Sequence, residues 1–536
     1  MVRKYSVAGV VTTVFALIIT LMIVLYNFAP MWSAKWWIID DHEIALFLGE
    51  DQKINFTEIV PTLLSSTEVG SPFVSVRFRP SYYTLRLVEA YLFGKNAEYY
   101  YRLKIAFAFG FFFLLLMTIC FSIKKLTTAL TPNPPLPLSS SSNSLFALLI
   151  ASVATASIAV EEYWRDIFAR NGAGEVYCAV GLWLYLVPYF FLWKNSSNSS
   201  SSSSNQWSWM WALLSTLGLL IACGSKENFL ILLLPSILLL YRLLRARKLG
   251  SALIHLIGVA GSLFIALSVF IALTKTGSDV YGRSVTFSDR LTVLVKWVFH
   301  FKPIHLNLLL TLLLAFLSSL SLKKLSRFSK FCVIAQLFNF ALFFSQVIFY
   351  NGLFPVNYRY DFPGKLTYTI GLWINLAQVY YLLLSFNKRW LITYFFFPGV
   401  LTGLLLTSSL KFARDNNTLA HFSLRTNIFT SSLEQLANKV KEAKMTTTPI
   451  ILLRDSQKQE EVISLFRFFN YYGIHNPIKV INYPVSDEDL LTIEATRENC
   501  IKLYFVDHNA LKSGVGDDKS FKCVNQFPII LNGDPL

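Results

Sequence analysis

Asp40, Asp41, His42 and Glu43 put three carboxylates and an imidazole on consecutive residues, just after the pair Trp36-Trp37 and a long apolar run. Charge at the edge of a lipid-like segment is costly unless it is solvated or used. A carboxylate in this place can act as a general base, taking the proton of a hydroxyl group as that group attacks an activated carbon. Asp40, Asp41 and His42 can instead hold a divalent cation that neutralises a phosphate leaving group. Helix capping competes with both readings. Asp40 fits an N-cap, Glu43 completes a capping-box variant, and Asp41 suits the first turn. Capping accounts for Glu43, but it requires neither a second Asp nor a His. Asp40 and Asp41 are therefore the candidate catalytic carboxylates, with Asp40 ahead.

A second dense charge cluster runs from Glu161 and Glu162 through Arg165, Asp166 and Arg170 to Glu175. Arg165 with Glu161 or Glu162 would be an ordinary helical ion pair. If the segment faces the first cluster, Asp166 becomes a further acidic site residue supported by Glu162. Arg165 or Arg170 then becomes a ligand for a phosphate. The histidines at 255, 300, 305, 421, 475 and 508 are scattered and receive no role.

The elements that must position these groups are membrane spans. The 536-residue chain is 54% hydrophobic and only 15% charged, with a mean hydropathy of +0.48. Apolar runs near 6–28, 105–123, 145–160, 176–193, 207–223, 228–243, 251–274, 304–321, 331–350, 366–385 and 391–409 predict about eleven transmembrane helices. The net charge of +16 does not imply a nucleic acid partner. With the N-terminus inside, the cytoplasmic pieces hold 15 Lys and Arg (Arg3, Lys4, Lys124, Lys125, Lys194, Arg242, Arg245, Arg247, Lys248, Lys323, Lys324, Arg327, Lys330, Lys388 and Arg389) and no acidic residue. The 48 basic residues less these 15 leave 33 against 32 acidic ones, so the excess reads as positive-inside bias. In this orientation the loop 29–104, the short loop 161–175, the loops 275–303 and 351–365 and the C-terminal region lie outside. Residues 1–28 resemble a signal peptide only in part: the apolar stretch is long and no small-x-small site precedes Pro30, so an uncleaved first span is expected.

Within the first outer loop, Ile44–Leu48 and Pro80–Phe93 show helical apolar spacing, with Arg86 and Glu89 on the opposite face. Such helices would lie in the membrane interface and roof a site. The Pro- and Ser-rich linker 126–144 and the tract Asn195–Asn205 read as solvated cytoplasmic connections. After residue 410 the chain becomes charged and periodic. Ser423–Lys444, Gln457–Tyr472 and Asp487–Asn499 predict helices, and Pro449–Arg454, Ile478–Tyr483 and Ile501–Val506 predict strands. That alternation predicts a small extracytoplasmic α/β domain over 411–536, separate from a membrane domain over 1–410. It carries no phosphate loop or nucleophile motif, so an accessory or binding role is expected. Cys120, Cys178, Cys223 and Cys332 read as packing residues, and Cys500 with Cys523 as a candidate disulfide.

Four motifs in order resemble one family. Arg79-Pro80-Ser81-Tyr82-Tyr83 leads to Leu92-Phe93-Gly94-Lys95-Asn96, and Arg102 enters the second span. Lys226-Glu227-Asn228 precedes an apolar run to Pro235, and Arg359-Tyr360-Asp361-Phe362-Pro363 precedes a late span. With the acidic cluster, these make residues 1–410 resemble the GT-C superfamily of polyprenyl-phosphate-dependent glycosyltransferases, in particular the bacterial branch of glycosyltransferase family 39 (protein-mannosyltransferase and aminoarabinose-transferase-like). The chain departs from the family pattern in having Asp-Asp-His-Glu for Asp-Glu, Ser81 for a Pro and Glu227 for a Gly. The resemblance implies a GT-C-like bundle and an inverting transferase. It would move a sugar from a polyprenyl-phosphate donor to an extracytoplasmic lipid, glycan or protein, in a bilayer such as a bacterial inner membrane. Asp40 or Asp41 would be the base, and Lys226, Arg359 and Arg102, with Arg165 and Arg170, would hold the donor phosphate. Two other classes compete: a non-enzymatic transporter or flippase of lipid-linked glycans, and a membrane scaffold for envelope assembly.

Overall fold

The computed structural model describes residues 7–130, 140–196, 208–276, 286–322, 327–350, 362, 364–385, 397–442, 448–455, 459–483, 501–506 and 525–530. Arg359, Asp361, Cys500, Cys523, the helix expected over Asp487–Asn499 and residues 131–139 and 197–205 of the two low-complexity tracts lie outside these residues. The four cysteines that are described are buried and unpaired with one another, as packing residues should be.

The chain is an α-helical membrane protein. Among the described residues, six helical stretches are long and apolar enough to cross a bilayer: Gly9–Ser33, Ala97–Lys124, Glu175–Trp193, Glu227–Arg245, Leu249–Thr276 and Pro303–Leu320. Three shorter apolar helices cover Ala147–Ala159, Ser208–Cys223 and Phe328–Phe344. Leading elements are α1 (Val7–Phe28), α2 (His42–Leu48), α3 (Ile59–Ser65), α4 (Pro80–Phe93), α5 (Ala97–Leu130), α6 (Ser140–Ala159), α7 (Glu162–Phe168), α8 (Glu175–Ser196) and α9 (Ser208–Cys223). After a short 3-10 turn come α10 (Leu233–Arg245), α11 (Leu249–Thr276), α12 (Phe287–Phe299), α13 (Pro303–Leu322), α14 (Arg327–Tyr350) and α15 (Gly364–Ser385).

Helices α1, α5 and α6 pack together, α9 packs between α8 and α11, and α13, α14 and α15 form a further group. Close approach of α8 and α9 depends on glycine. A Cβ on Gly181 would stand 2.7 Å from the Ala222 backbone nitrogen, and one on Gly218 2.5 Å from the Leu184 carbonyl carbon.

Helix α4 shows two faces, as its spacing predicts: Arg86 and Glu89 are 0% and 4% exposed, whereas Val88, Tyr91 and Leu92 are 36%, 45% and 61% exposed. Two faces can be read from periodicity, but which one points inward depends on what surrounds the helix. For a helix beside lipid, the apolar face can look outward while polar groups pair inside.

Helix α16 (Phe397–Glu442) is continuous for 46 residues and runs through position 410, so no break separates the expected span 391–409 from the helix expected over Ser423–Lys444. The composition changes there without ending the helix. Then follow β1 (Ile450–Asp455), α17 (Gln459–Tyr471), β2 (Ile478–Tyr483), β3 (Ile501–Val506) and β4 (Asn525–Ile530). These strands form one parallel sheet in the order β2-β1-β3-β4, with Ile450 beside both Ile478 and Ile501 and Ile501 beside Asn525. Strands β2 and β3 match their expected limits; β4 was not foreseen.

This C-terminal part holds the first loop from two sides. Thr426 Oγ1 accepts from the Lys35 amide at 2.9 Å, and Thr430 donates to the Trp36 carbonyl at 3.3 Å. Trp37 packs on Phe422 and Phe429 of α16, with ring centroids 5.3 and 6.2 Å apart. Helix α17 lies against α2, where Ser464 Oγ meets His42 Nδ1 at 2.9 Å.

Candidate functional site

Asp40 adopts φ +71°, in the left-handed region that non-glycine residues rarely occupy. The turn it makes decides where its neighbours' side chains go. Helix α2 starts at His42 with Asp41 at the N-cap position, yet no side chain caps it. The expected capping box of Asp40 and Glu43 therefore does not form. Asp41 reaches back instead: its Oδ2 accepts from the Trp37 amide at 2.9 Å, the Tyr101 hydroxyl at 3.1 Å and the Asn171 amide at 3.4 Å. Glu43 accepts from the Tyr82 hydroxyl at 2.6 Å.

The segment after α7 closes over this turn. Arg170 bridges two carboxylates, with Nε 2.5 Å from Asp166 Oδ1 and Nη1 3.7 Å from Asp40 Oδ2. Tyr82 also donates to the Gly172 carbonyl at 3.2 Å. Gly172 sits so close that a Cβ there would lie 2.9 Å from Asp40 Cα, leaving no room for any side chain. Arg165 is buried within α7, and Glu162 opens that helix.

Asp40 and Asp41 differ sharply in access. The Asp40 side chain is 18% exposed, while Asp41 is 1% exposed. Burial pushes the Asp41 carboxyl up to about 7, against the pull of the Trp37 amide and the nearby Arg86 charge. Of the two carboxylates, Asp40 is the one more open to solvent.

Lys226 and its neighbours join the same end of the bundle. The Gly224 carbonyl accepts from the amides of Ser81 and Tyr82 at 3.0 and 3.1 Å, which fastens the start of α4 to the 224–228 turn. A Cβ on Gly174 would touch both the Ser225 carbonyl and the Tyr82 ring, each at 3.2 Å. The ion pairs are not those of sequence neighbours. Lys226 bonds Glu175 at 2.7 Å rather than Glu227. Glu227 takes a two-point bond from Arg79, at 2.9 and 3.1 Å. Lys226 also lies 3.5 Å from the carbonyl of Phe362, the described residue of the 359–363 motif.

Two expected site residues go elsewhere. Arg102 pairs with Glu98 at 2.5 Å, donates to the Trp32 carbonyl at 3.2 Å and stacks near Trp32 and Tyr99. His42 Nδ1 faces Ser464 and the Ile38 carbonyl, and burial lowers its proton affinity. Among the described residues no three His, Cys, Asp or Glu side chains gather to hold a metal ion, so the cation site expected from Asp40, Asp41 and His42 does not assemble. The left-handed turn at Asp40 and the rotation of His42 toward α17 separate the three groups.

The sequence reading missed a buried network behind Asp41. Lys104, two residues beyond Arg102, bonds Glu89 Oε1 at 2.5 Å and the Tyr177 hydroxyl at 2.9 Å. Glu89 Oε2 lies 3.3 Å from Arg86 Nη1. Its one sequence signal is Lys104 directly before the second apolar run, a placement at which a buried charge demands a partner. Chemically, the site offers a partly exposed carboxylate, a neighbouring carboxyl poised near neutrality and several fixed cations.

No family model, curated protein or solved structure matches the chain.

Proposed function

We propose that the chain is an inverting membrane glycosyltransferase of the GT-C type. It takes a sugar from a polyprenyl-phosphate donor and places it on a hydroxyl of an extracytoplasmic lipid, glycan or protein. The observation that supports this best is the Asp40–Arg170–Asp166 arrangement, with Lys226 fastened at the same end of an apolar helical bundle. Asp40 takes the proton of the acceptor hydroxyl as its oxygen attacks the anomeric carbon. The bond from that carbon to the phosphate oxygen breaks, and the electron pair leaves with the polyprenyl phosphate. Arg170 and Lys226 hold the phosphate and stabilise its growing charge; fixed cations of this kind supply much of the rate in charge-developing steps. Asp41 holds the turn and the 170–174 segment in place. The finer architecture belongs to this reading: eleven spans, the N-terminus in the cytoplasm, and the sheet-containing C-terminal region outside, where the positive-inside charge pattern puts it.

Loss of a positioned base costs about 10²–10⁴-fold. Asp40→Asn should therefore reduce transfer from a polyprenyl-phosphate sugar by that order in membranes containing normal amounts of the protein. If the glycolipid and glycan profile of cells carrying the Asp40→Asn/Asp41→Asn variant matches that of wild type, the mechanism is wrong.

A further inference from the structure

Helices α13, α14 and α15 pack as one group with polar side chains between them. Leu309, Leu313 and Phe316 of α13 and Phe331, Ile334 and Leu337 of α14 are exposed, as side chains beside lipid should be. Between the helices, Thr311 donates to Asn375 Oδ1 at 2.7 Å, and Asn375 Nδ2 donates to the Asn307 carbonyl at 3.1 Å. Asn339 donates to the Thr367 carbonyl at 2.6 Å, and Ser329 donates to Ser318 at 3.3 Å. From Asn307 to Ser318, α13 rises about 16 Å, roughly half of the ~30 Å of bilayer hydrocarbon. An uncharged polar seam therefore runs through the middle of the group. Polar residues commonly join membrane helices by bonding across them, and that accounts for Asn307, Thr311, Asn339 and Asn375.

It does not account for Gln336 and Gln378. These are 0% and 3% exposed, and neither the nitrogen nor the oxygen of either amide makes a hydrogen bond among the described residues. Both lie in the seam. A Cβ on Gly371 would stand 2.6 Å from Asn307 Nδ2 and 2.8 Å from Gln336 Nε2, so those two amides converge over the α15 backbone. Asn339 meets Thr367 and Gln336 meets Gly371, which is an antiparallel register of α14 and α15. Continued two turns along each helix, that register sets Ser329 level with Gln378. A buried amide without a partner weakens the helix association it should support. We propose that the seam is a water-binding site, with water held by Gln336 and Gln378 at membrane depth. A carboxamide donates through nitrogen and accepts through oxygen, so its ligand must do both. Every side chain in these contacts is uncharged, so an ion there would lack a counter-charge. The same side chains are buried, so the ligand is small. Water meets all three demands, since a buried water bonds several polar groups at once. This inference is independent of the glycosyltransferase reading.

The test is solid-state NMR of the full-length protein in lipid bilayers, with only the glutamine side-chain nitrogens labelled. Magnetisation is transferred to them either from water or from lipid chains. Gln336→Asn and Gln378→Asn each remove one labelled signal while keeping an amide in the seam, and so identify the two signals by their loss. Gln435, exposed on α16, is the hydrated reference. Both seam signals should grow from water as that of Gln435 does, and both should be lost when the water is replaced by D2O. A signal at either residue that receives nothing from water overturns the proposal. So does growth from lipid chains alone, which would place the amides against lipid. If one of the two variants does not accumulate, the signal that the other identifies decides, and a dry amide there overturns the proposal.

Discussion

Asp41 is a carboxyl whose charge is opposed by the fold and whose geometry needs that charge. Burial raises it from 3.8 to about 7, so the native state holds its proton more tightly than the unfolded chain does. The sign follows. Its stabilising contribution is full below pH 3.8, falls as pH rises toward about 7, and is gone above that. Asp41→Asn keeps an oxygen for the Trp37 amide but never ionises. Its unfolding free energy relative to wild type should therefore grow by about 3 kcal/mol between pH 5 and pH 8. Unfolding in detergent at the two pH values measures it, and an equal difference at both would refute the buried, ionising Asp41. At this scale the acidic cluster was readable as a cluster. Which carboxylate is more open to solvent was not, because the answer lies in the positive φ of Asp40 and in Tyr101 and Asn171, which are 60 and 130 residues away.

At the scale of elements, the 224–228 turn joins α9, α4 and the start of α8 through buried ion pairs. Lys226→Met leaves Glu175 buried without its cation, and breaking such a pair costs about 3–5 kcal/mol. Adding Glu175→Gln should return most of that stability. If Lys226 also holds the donor phosphate, the double variant stays deficient in transfer. Wild-type transfer by that variant would make Lys226 a structural counter-ion only. The end of α2, the extent of α4 and the edges of β2 and β3 were legible because apolar period and turn residues mark them directly. Pairing was not. Lys226 stands beside Glu227 in the chain, and only the fold reveals that Arg79 claims Glu227 while Glu175 claims Lys226. What Arg86 and Glu89 pair with was hidden for a related reason, since amphipathic spacing reports two faces without naming the partners of either.

At the scale of the molecule, the C-terminal region and the first loop share an aromatic seam. Phe429 lies between Trp37 and Phe468, with ring centroids 6.2 and 5.3 Å away, and is fully buried. Phe429→Ala should cost about 3–5 kcal/mol of local packing. It should make the 35–52 segment more susceptible to limited proteolysis and lower transfer, while the protein remains in the membrane. Unchanged cleavage and activity would show that the two regions work independently. Membrane character was evident from composition alone. The seam was not, because no local pattern links Trp37 to a helix almost 400 residues later. Helix α16 makes that link in a single piece. Its 46 residues extend about 69 Å, more than twice the ~30 Å of bilayer hydrocarbon. Such a rod can act as a strut: on the glycosyltransferase reading it would set how far the sheet stands from the lipid surface and so how bulky an acceptor could reach Asp40.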